Sequence, residues 1–265
     1  MGLKLSALRY LAREHGRRPF TGPVLTLGRQ CIYATWADVQ ALLRDEGIEP
    51  GPLLSEDDRL SNIPSWKGGP LESCTSDRAF WAALGGLRVE TLDVSDHERA
   101  DHLVDLNQPV PGHFAGRYDL ILDGGTLEHI FDTRQAVRNV ARMLRAGGRV
   151  IHMSPGSNFF EHGFYQFSPT FFFDYYSANG FSDLRCEIGE VPPGDVVYGP
   201  WHIRDWDPAR PQASTSPHHV MVHFVASKTP WSTDDRVPQQ GEYRARLDTR
   251  RVQASPGVHP PERER

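Results

Sequence analysis

Cysteine is scarce in this chain: Cys31, Cys74 and Cys186 are the three among 265 residues. Odd in number and far apart, they exclude a disulfide framework and share no zinc-type spacing with histidine. Buried, idle thiols in a reducing compartment follow, so a cytoplasmic protein is expected. Positive charge is also short. Lys and Arg number 29 against 34 Asp and Glu, a net charge of −5. That balance argues against a nucleic-acid or anionic-membrane binder. No apolar run approaches the length that spans a bilayer. The opening MGLKLSALRYLAREHGRR breaks its apolar positions with charge, so it lacks the continuous core of a secretory signal. Gly-x-Gly-x-x-Gly, P-loop and Gly-x-Ser-x-Gly patterns are missing, which argues against a nicotinamide dehydrogenase and against a nucleophile-elbow hydrolase. The twelve histidines are scattered, and His218-His219 has no matching acidic pair, so no metal site is expected. Solenoid repeats are absent.

What the chain has in quantity is punctuation, with 24 glycines and 21 prolines beside a modest 38% of hydrophobic residues. One large α/β domain with irregular insertions fits this length. An amphipathic helix over 3–15 is expected to cap the domain, residues 1–20 forming that cap and 21–230 the domain. The stretch 49–72 reads as an irregular insertion, open between a lid and a simple decoration. Residues 191–217, with Tyr198, Trp201 and Trp206, read as a second excursion. The polar, proline-bearing residues 231–265 read as a disordered tail.

The chain is organised around YDLILDGGTLEHIFDTRQAVRNVARMLRAGGRVIHMSP, from Tyr118 to Pro155. Tyr118–Leu122 is an apolar run that Asp123-Gly124-Gly125-Thr126 ends with turn chemistry. Val137, Val140, Ala141 and Leu144 then recur at helical spacing. Gly147-Gly148 is the expected helix stop, and Val150–Met153 a second strand that Pro155 ends. Strand, helix, strand at this spacing is a right-handed βαβ unit of a parallel sheet, whose ligands sit beyond the carboxyl ends of the strands. Further strands are expected at Pro23–Leu27, Val89–Val94, His102–Leu106, Phe181–Ile188 and His219–Ala226. Helices are expected from about Thr35 to Arg44, over Asp77–Leu84, and over Phe167–Asn179, where Ser168-Pro169 supplies a cap and a first-turn proline.

The central stretch resembles the second half of class I S-adenosylmethionine (SAM) dependent methyltransferases, with YDLI, LEH and LRAGGR in order. The resemblance runs over roughly 20–190. It implies a Rossmann-like α/β fold, a seven-stranded, mostly parallel sheet with one antiparallel strand and helices on both faces. It implies SAM as cofactor, with Gly28, Arg29, Asp93, Asp105, Asp123 and Gly124 as its contacts. Asp93 stands where a carboxylate reads the ribose hydroxyls, and Asp105, with Asn107, where the adenine edge is held. The family's glycine-rich first loop is here VLTLGRQCIYATW, with Gly28 alone. Two readings stay open: Arg29 pairs with a carboxylate of the cofactor or an anion of the substrate, or Arg29-Gln30 narrows the site.

Glu128 and His129 follow the fourth strand, open between proton transfer and a role in capping and packing. NFFEHGFYQFSP, from Asn158, interleaves aromatics with polar groups as a substrate loop does, and His162 is the preferred general base. A similar HGFYQFSP run occurs in methyltransferase-like proteins. The expected activity is methyl transfer to an oxygen of a small polar acceptor, of sugar or natural-product type. The rival reading is a catalytically inactive chain of this fold that binds a ligand or protein partner. A homo-oligomer is compatible with both.

Overall fold

A computed structural model describes residues 2–51, 55, 60–61, 74–191, 201–207 and 216–241. Most of the 49–72 insertion, Tyr198 and the tail beyond 241 lie outside the described residues.

In chain order, β1 (Gly2–Leu3) leads into α1 (Leu5–Arg17), β2 (Val24–Leu27), β3 (Cys31–Ile32) and α2 (Trp36–Asp45). Then come α3 (Asp77–Ala83), β4 (Val89–Asp93), β5 (His102–Leu103), β6 (Tyr118–Asp123) and α4 (Thr133–Met143). The series closes with β7 (Leu144–Ser157), α5 (Pro169–Ala178), β8 (Ser182–Val191), β9 (His202–Asp205) and β10 (His219–Ser227). The main sheet has the order β5-β4-β2-β6-β7-β10-β8-β9, while β1 and β3 form a small parallel pair. From β5 to β7 every pairing is parallel. β10 runs antiparallel to both β7 and β8, and β9 antiparallel to β8.

This is the expected Rossmann-like α/β sheet with one strand more. The eighth strand, β9, arises inside the excursion read as irregular. Its sequence HIRD offers one apolar residue, because it lies at the sheet edge and packs little. Polar edge strands leave no alternation to read.

Helix ends follow side-chain chemistry. Thr35 and Asp38 make a reciprocal capping box at α2. Ser76, Asp132 and Ser168 cap α3, α4 and α5 by accepting from backbone N–H groups. α4 stops at Met143, short of the glycine pair, because Leu144 is already extended and pairs with Tyr118 of β6. The Lys228 ammonium donates to the carbonyls of Ala141 and Leu144, satisfying orphan acceptors at that end. β7 runs through Pro155 rather than ending there. Its register with β6 ends at His152, so Pro155 pairs only with β10, opposite Met221 at a bulge. A missing N–H is tolerated on such an unpaired side.

The strands divide their apolar side chains between two faces. Leu25, Leu27 and Ile121 join α4 and α5 residues such as Val137, Val140, Phe172 and Tyr176. Val24, Leu120 and Leu122 join Leu8, Leu11, Val39, Leu43, Phe80 and Trp81 from α1, α2 and α3. The N-terminal helix is therefore a layer of the domain. The first part of the expected tail is packed as well: Asn179 holds Thr233 and Arg236, and Asp234 pairs with Arg142. Cys31 and Cys186 are buried, and burial pushes their thiols up to about 11 and about 12. Among the described residues, no helix is long and apolar enough to cross a membrane.

Candidate functional site

A cavity of about 500 Å³ opens beyond the carboxyl ends of the parallel strands, as doubly wound sheets favour. Gly28 follows β2, Asp93 ends β4, Asp105 follows β5, and Thr126 and His129 follow β6; all five line it. Leu92, Val104, Leu106 and Ile130 give it apolar walls. Asp93 Oδ1 accepts from the Ser95 N–H at 2.9 Å, fixing the carboxylate at the strand end. Asp105 Oδ1 accepts from the Asn107 backbone and side-chain amides at 2.9 and 2.8 Å. An apolar lining edged by carboxylates and an amide suits a nucleoside: apolar contact for the base, acceptors for the sugar hydroxyls.

The first loop resolves in a way that neither reading of its sequence anticipates. Gly28 turns the chain at a φ of 70°, a left-handed conformation that glycine adopts freely. Arg29 then points into the protein, where its Nε and Nη2 donate to both oxygens of Asp77 at 3.2 and 3.3 Å. Its Nη1 donates to the carbonyls of Glu98 and Arg99, each at 3.4 Å. The guanidinium is thus paired with Asp77, a partner that neither reading of the sequence named. It braces the turn after β4 as well. Gln30 folds back, its Nε2 donating to the carbonyls of Leu27 and Gly28 at 3.2 Å. Neither side chain lines the cavity.

Two further expected contacts turn inward. Asp123 is fully buried, with Oδ1 accepting from the N–H groups of Thr126 and Leu127 at 2.9 and 3.2 Å. Its Oδ2 meets His152 Nδ1 at 2.8 Å, and His152 Nε2 meets the Tyr176 hydroxyl at 2.7 Å. His152 also stacks on Phe172, with centroids 4.6 Å apart. Asp123 therefore anchors the turn that carries Glu128. Gly124 makes room for Gln30: a Cβ there would sit 2.7 Å from its Oε1. Sequence reasoning missed the Asp123–His152–Tyr176 chain. The signal was present in one residue, a histidine inside the apolar run Val150–Met153.

Beside the cavity stand the three residues expected to manage protons. Glu128 is buried, and its Oε1 lies 3.4 Å from His162 Nε2 and 4.0 Å from His129 Nε2. The two imidazoles meet edge to face at 4.9 Å. Burial, with Asp123 nearby, holds the Glu128 carboxyl well above the usual carboxylate range. Burial and His162 lower the pKa of His129. The loop bearing His162 is latched to the turn bearing Glu128. The Phe164 N–H donates to the Glu128 carbonyl at 2.7 Å, and a Cβ on Gly163 would meet that same oxygen at 2.7 Å. Their donor atoms all fall within 4.8 Å of one another. This is a grouping with metal-ligand chemistry where none was expected, hidden in the sequence because His162 lies far along the chain from Glu128.

No protein-family model matches the chain, and no curated protein matches it in sequence. Among solved structures, it is similar to Burkholderia thailandensis 1,6-didemethyltoxoflavin N1-methyltransferase bound to its substrate and S-adenosylhomocysteine, at 14% identity and a TM-score of 0.42. That match covers 84% of this chain and 79% of the other. It is also similar to Haemonchus contortus phosphoethanolamine N-methyltransferase 2, in complex with phosphomonomethylethanolamine and S-adenosylhomocysteine, at 14% identity and a TM-score of 0.45. Here 83% of this chain is covered, and it spans 52% of the Haemonchus protein.

Proposed function

We propose that this chain is a SAM-dependent methyltransferase acting on a hydroxyl of a small polar acceptor, of sugar or natural-product type. The observation that carries this reading is the cavity that Asp93, Asp105 and the Gly28 turn line together. Its volume lies in the range of small-molecule sites. When bound, the cofactor supplies a methyl group made electrophilic by a sulfonium sulfur. Asp93 would accept the ribose hydroxyls, and Asp105 with Asn107 would hold the adenine edge. Leu92, Val104, Leu106 and Ile130 would cover the base and exclude water. Gly28 would bring bare backbone against the methionine part, with Gln30 propping the turn from behind.

Glu128, His129 and His162 act on the acceptor. An unactivated hydroxyl needs a group that takes its proton, and an imidazole titrating near neutrality suits that task. His162 Nε2, beside the buried Glu128 carboxyl, fills it; His129 on the cavity wall orients the acceptor. Proximity of acceptor and methyl group supplies most of the remaining rate.

A second reading, a silent chain that docks a protein partner, is favoured by one observation: Phe131, Phe160 and Phe164 are 70%, 96% and 64% exposed near this rim. The test is incubation with SAM and a panel of hydroxylated acceptors, with mass spectrometry of both products. A singly methylated acceptor together with S-adenosylhomocysteine supports the first reading. No turnover, with a stable protein complex from a folded sample, supports the second.

A further inference from the structure

We propose that Glu128, His129 and His162 together hold a divalent transition-metal ion at the rim of the cavity. Nitrogen and oxygen ligands about 2.0–2.2 Å from a tetrahedral centre stand roughly 3.3–3.6 Å from one another. Glu128 Oε1 and His162 Nε2 are already 3.4 Å apart, and Glu128 Oε1 and His129 Nε2 4.0 Å. With all three donors inside 4.8 Å, small rotations of two imidazoles bring them to one centre. The two imidazoles reach the surface of the rim, being 44% and 47% exposed at His129 and His162.

A second observation points to a cation. Glu128 is 1% exposed, yet its Oε2 is buried with no hydrogen-bond donor. A buried carboxylate oxygen without a donor is costly. A cation held by the carboxylate and the imidazoles offsets that cost, and among the described residues no Lys or Arg forms an ion pair with Glu128. The surroundings hold the ligands in place. Asp123 anchors the turn under Glu128, and the Phe164 N–H ties the His162 loop to it. Such outer contacts orient metal ligands.

The donor set narrows the ion. Two imidazoles with one carboxylate suit zinc, iron, cobalt or nickel, whereas magnesium and calcium prefer oxygen throughout. Three protein ligands leave a coordination position for an exogenous oxygen. His129 lines the cavity, so that position adjoins it.

The ion's part in catalysis rests on the methyltransferase reading; its binding does not. In that reaction His162, its nitrogen taken up as a ligand, no longer serves as the base, and the cation acidifies the acceptor hydroxyl instead. The O–H proton passes to solvent, the oxygen lone pair forms the O–C bond, and the C–S bond breaks with its electrons onto sulfur.

The test is titration of the chelator-stripped full chain with cobalt(II), followed by visible absorption and elemental stoichiometry. One equivalent is expected to saturate a set of d–d bands, and zinc to displace it. His162→Ala, a change at a half-exposed loop residue, and Glu128→Gln should each weaken uptake more than about tenfold. His97→Ala, at a histidine that does not line the cavity, should not. A folded wild-type sample without stoichiometric uptake overturns the proposal, and so does undiminished uptake by both ligand variants. Titrating the same samples with S-adenosylhomocysteine separates the two claims: cobalt bound without it sinks the methyltransferase reading alone, and the reverse sinks the metal site alone.

Discussion

His152 Nδ1 and Asp123 Oδ2 lie 2.8 Å apart across the β6–β7 pairing, and neither side chain is exposed to solvent. The pairing register sets them opposite one another, and the Tyr176 hydroxyl closes the chain on the other imidazole nitrogen. One carboxylate thus joins a strand end, a neighbouring strand, a helix and the turn that presents Glu128.

Removing that carboxylate leaves His152 and the Thr126 and Leu127 N–H groups without their acceptor. Asp123→Ala is expected to cost about 3 kcal/mol of stability. Tyr176→Phe should cost about 1 kcal/mol. Urea denaturation of both variants and of the double variant checks this, since groups in one network couple. Strict additivity would break the proposed network.

Asp93 makes one local bond, to the Ser95 N–H, and otherwise faces the cavity. Asp93→Ala should therefore leave the melting temperature near that of the wild type. It should weaken S-adenosylhomocysteine binding about tenfold to a hundredfold, the worth of a hydrogen bond to a charged group. Calorimetry and thermal unfolding separate the two effects. Unchanged affinity would remove Asp93 from the site.

Arg29 gives the opposite expectation. Its pairing with Asp77 is almost wholly buried, with side chains 4% and 1% exposed. Arg29→Ala strands a buried carboxylate and should destabilise the fold by about 3–5 kcal/mol. Denaturant unfolding reads this directly. A variant of full stability that loses only ligand affinity would support the cofactor role suggested by sequence.

His223 supplies a pH dependence. It is buried between Tyr10 and Trp201 with both ring nitrogens unpaired, and burial lowers its pKa from 6.5 to about 4. Between those values the unfolded chain takes up a proton that the folded chain refuses. Stability is then lost as pH falls from 6.5 toward 4. His223→Phe removes this contribution. The difference in urea midpoint between variant and wild type should grow as pH falls through that window, and a constant difference would contradict it.

Much of the frame was legible because its signals are local. The helix cap at Ser168 and the apolar run at β6 are properties of adjacent residues, and Asp93 and Asp105 follow from strand ends. What escaped depends on distance. The commitment of Arg29 to Asp77 spans the chain from β2 to α3, and nothing near Arg29 announces its partner. His152 reads as an oddity in a strand until the register places Asp123 beside it. Likewise, Glu128 and His162 read as separate motifs until the Gly163 contact brings their loops together. The β9 edge strand failed for another reason: its pairing uses backbone, which leaves no mark on side-chain pattern.

The most direct measurement is calorimetric titration of the folded, full-length chain with S-adenosylhomocysteine. One site per chain with micromolar affinity, weakened by Asp93→Ala, is the expected result. A well-folded sample that takes up no ligand would contradict it, and the cavity beside Gly28 would then belong to some other molecule.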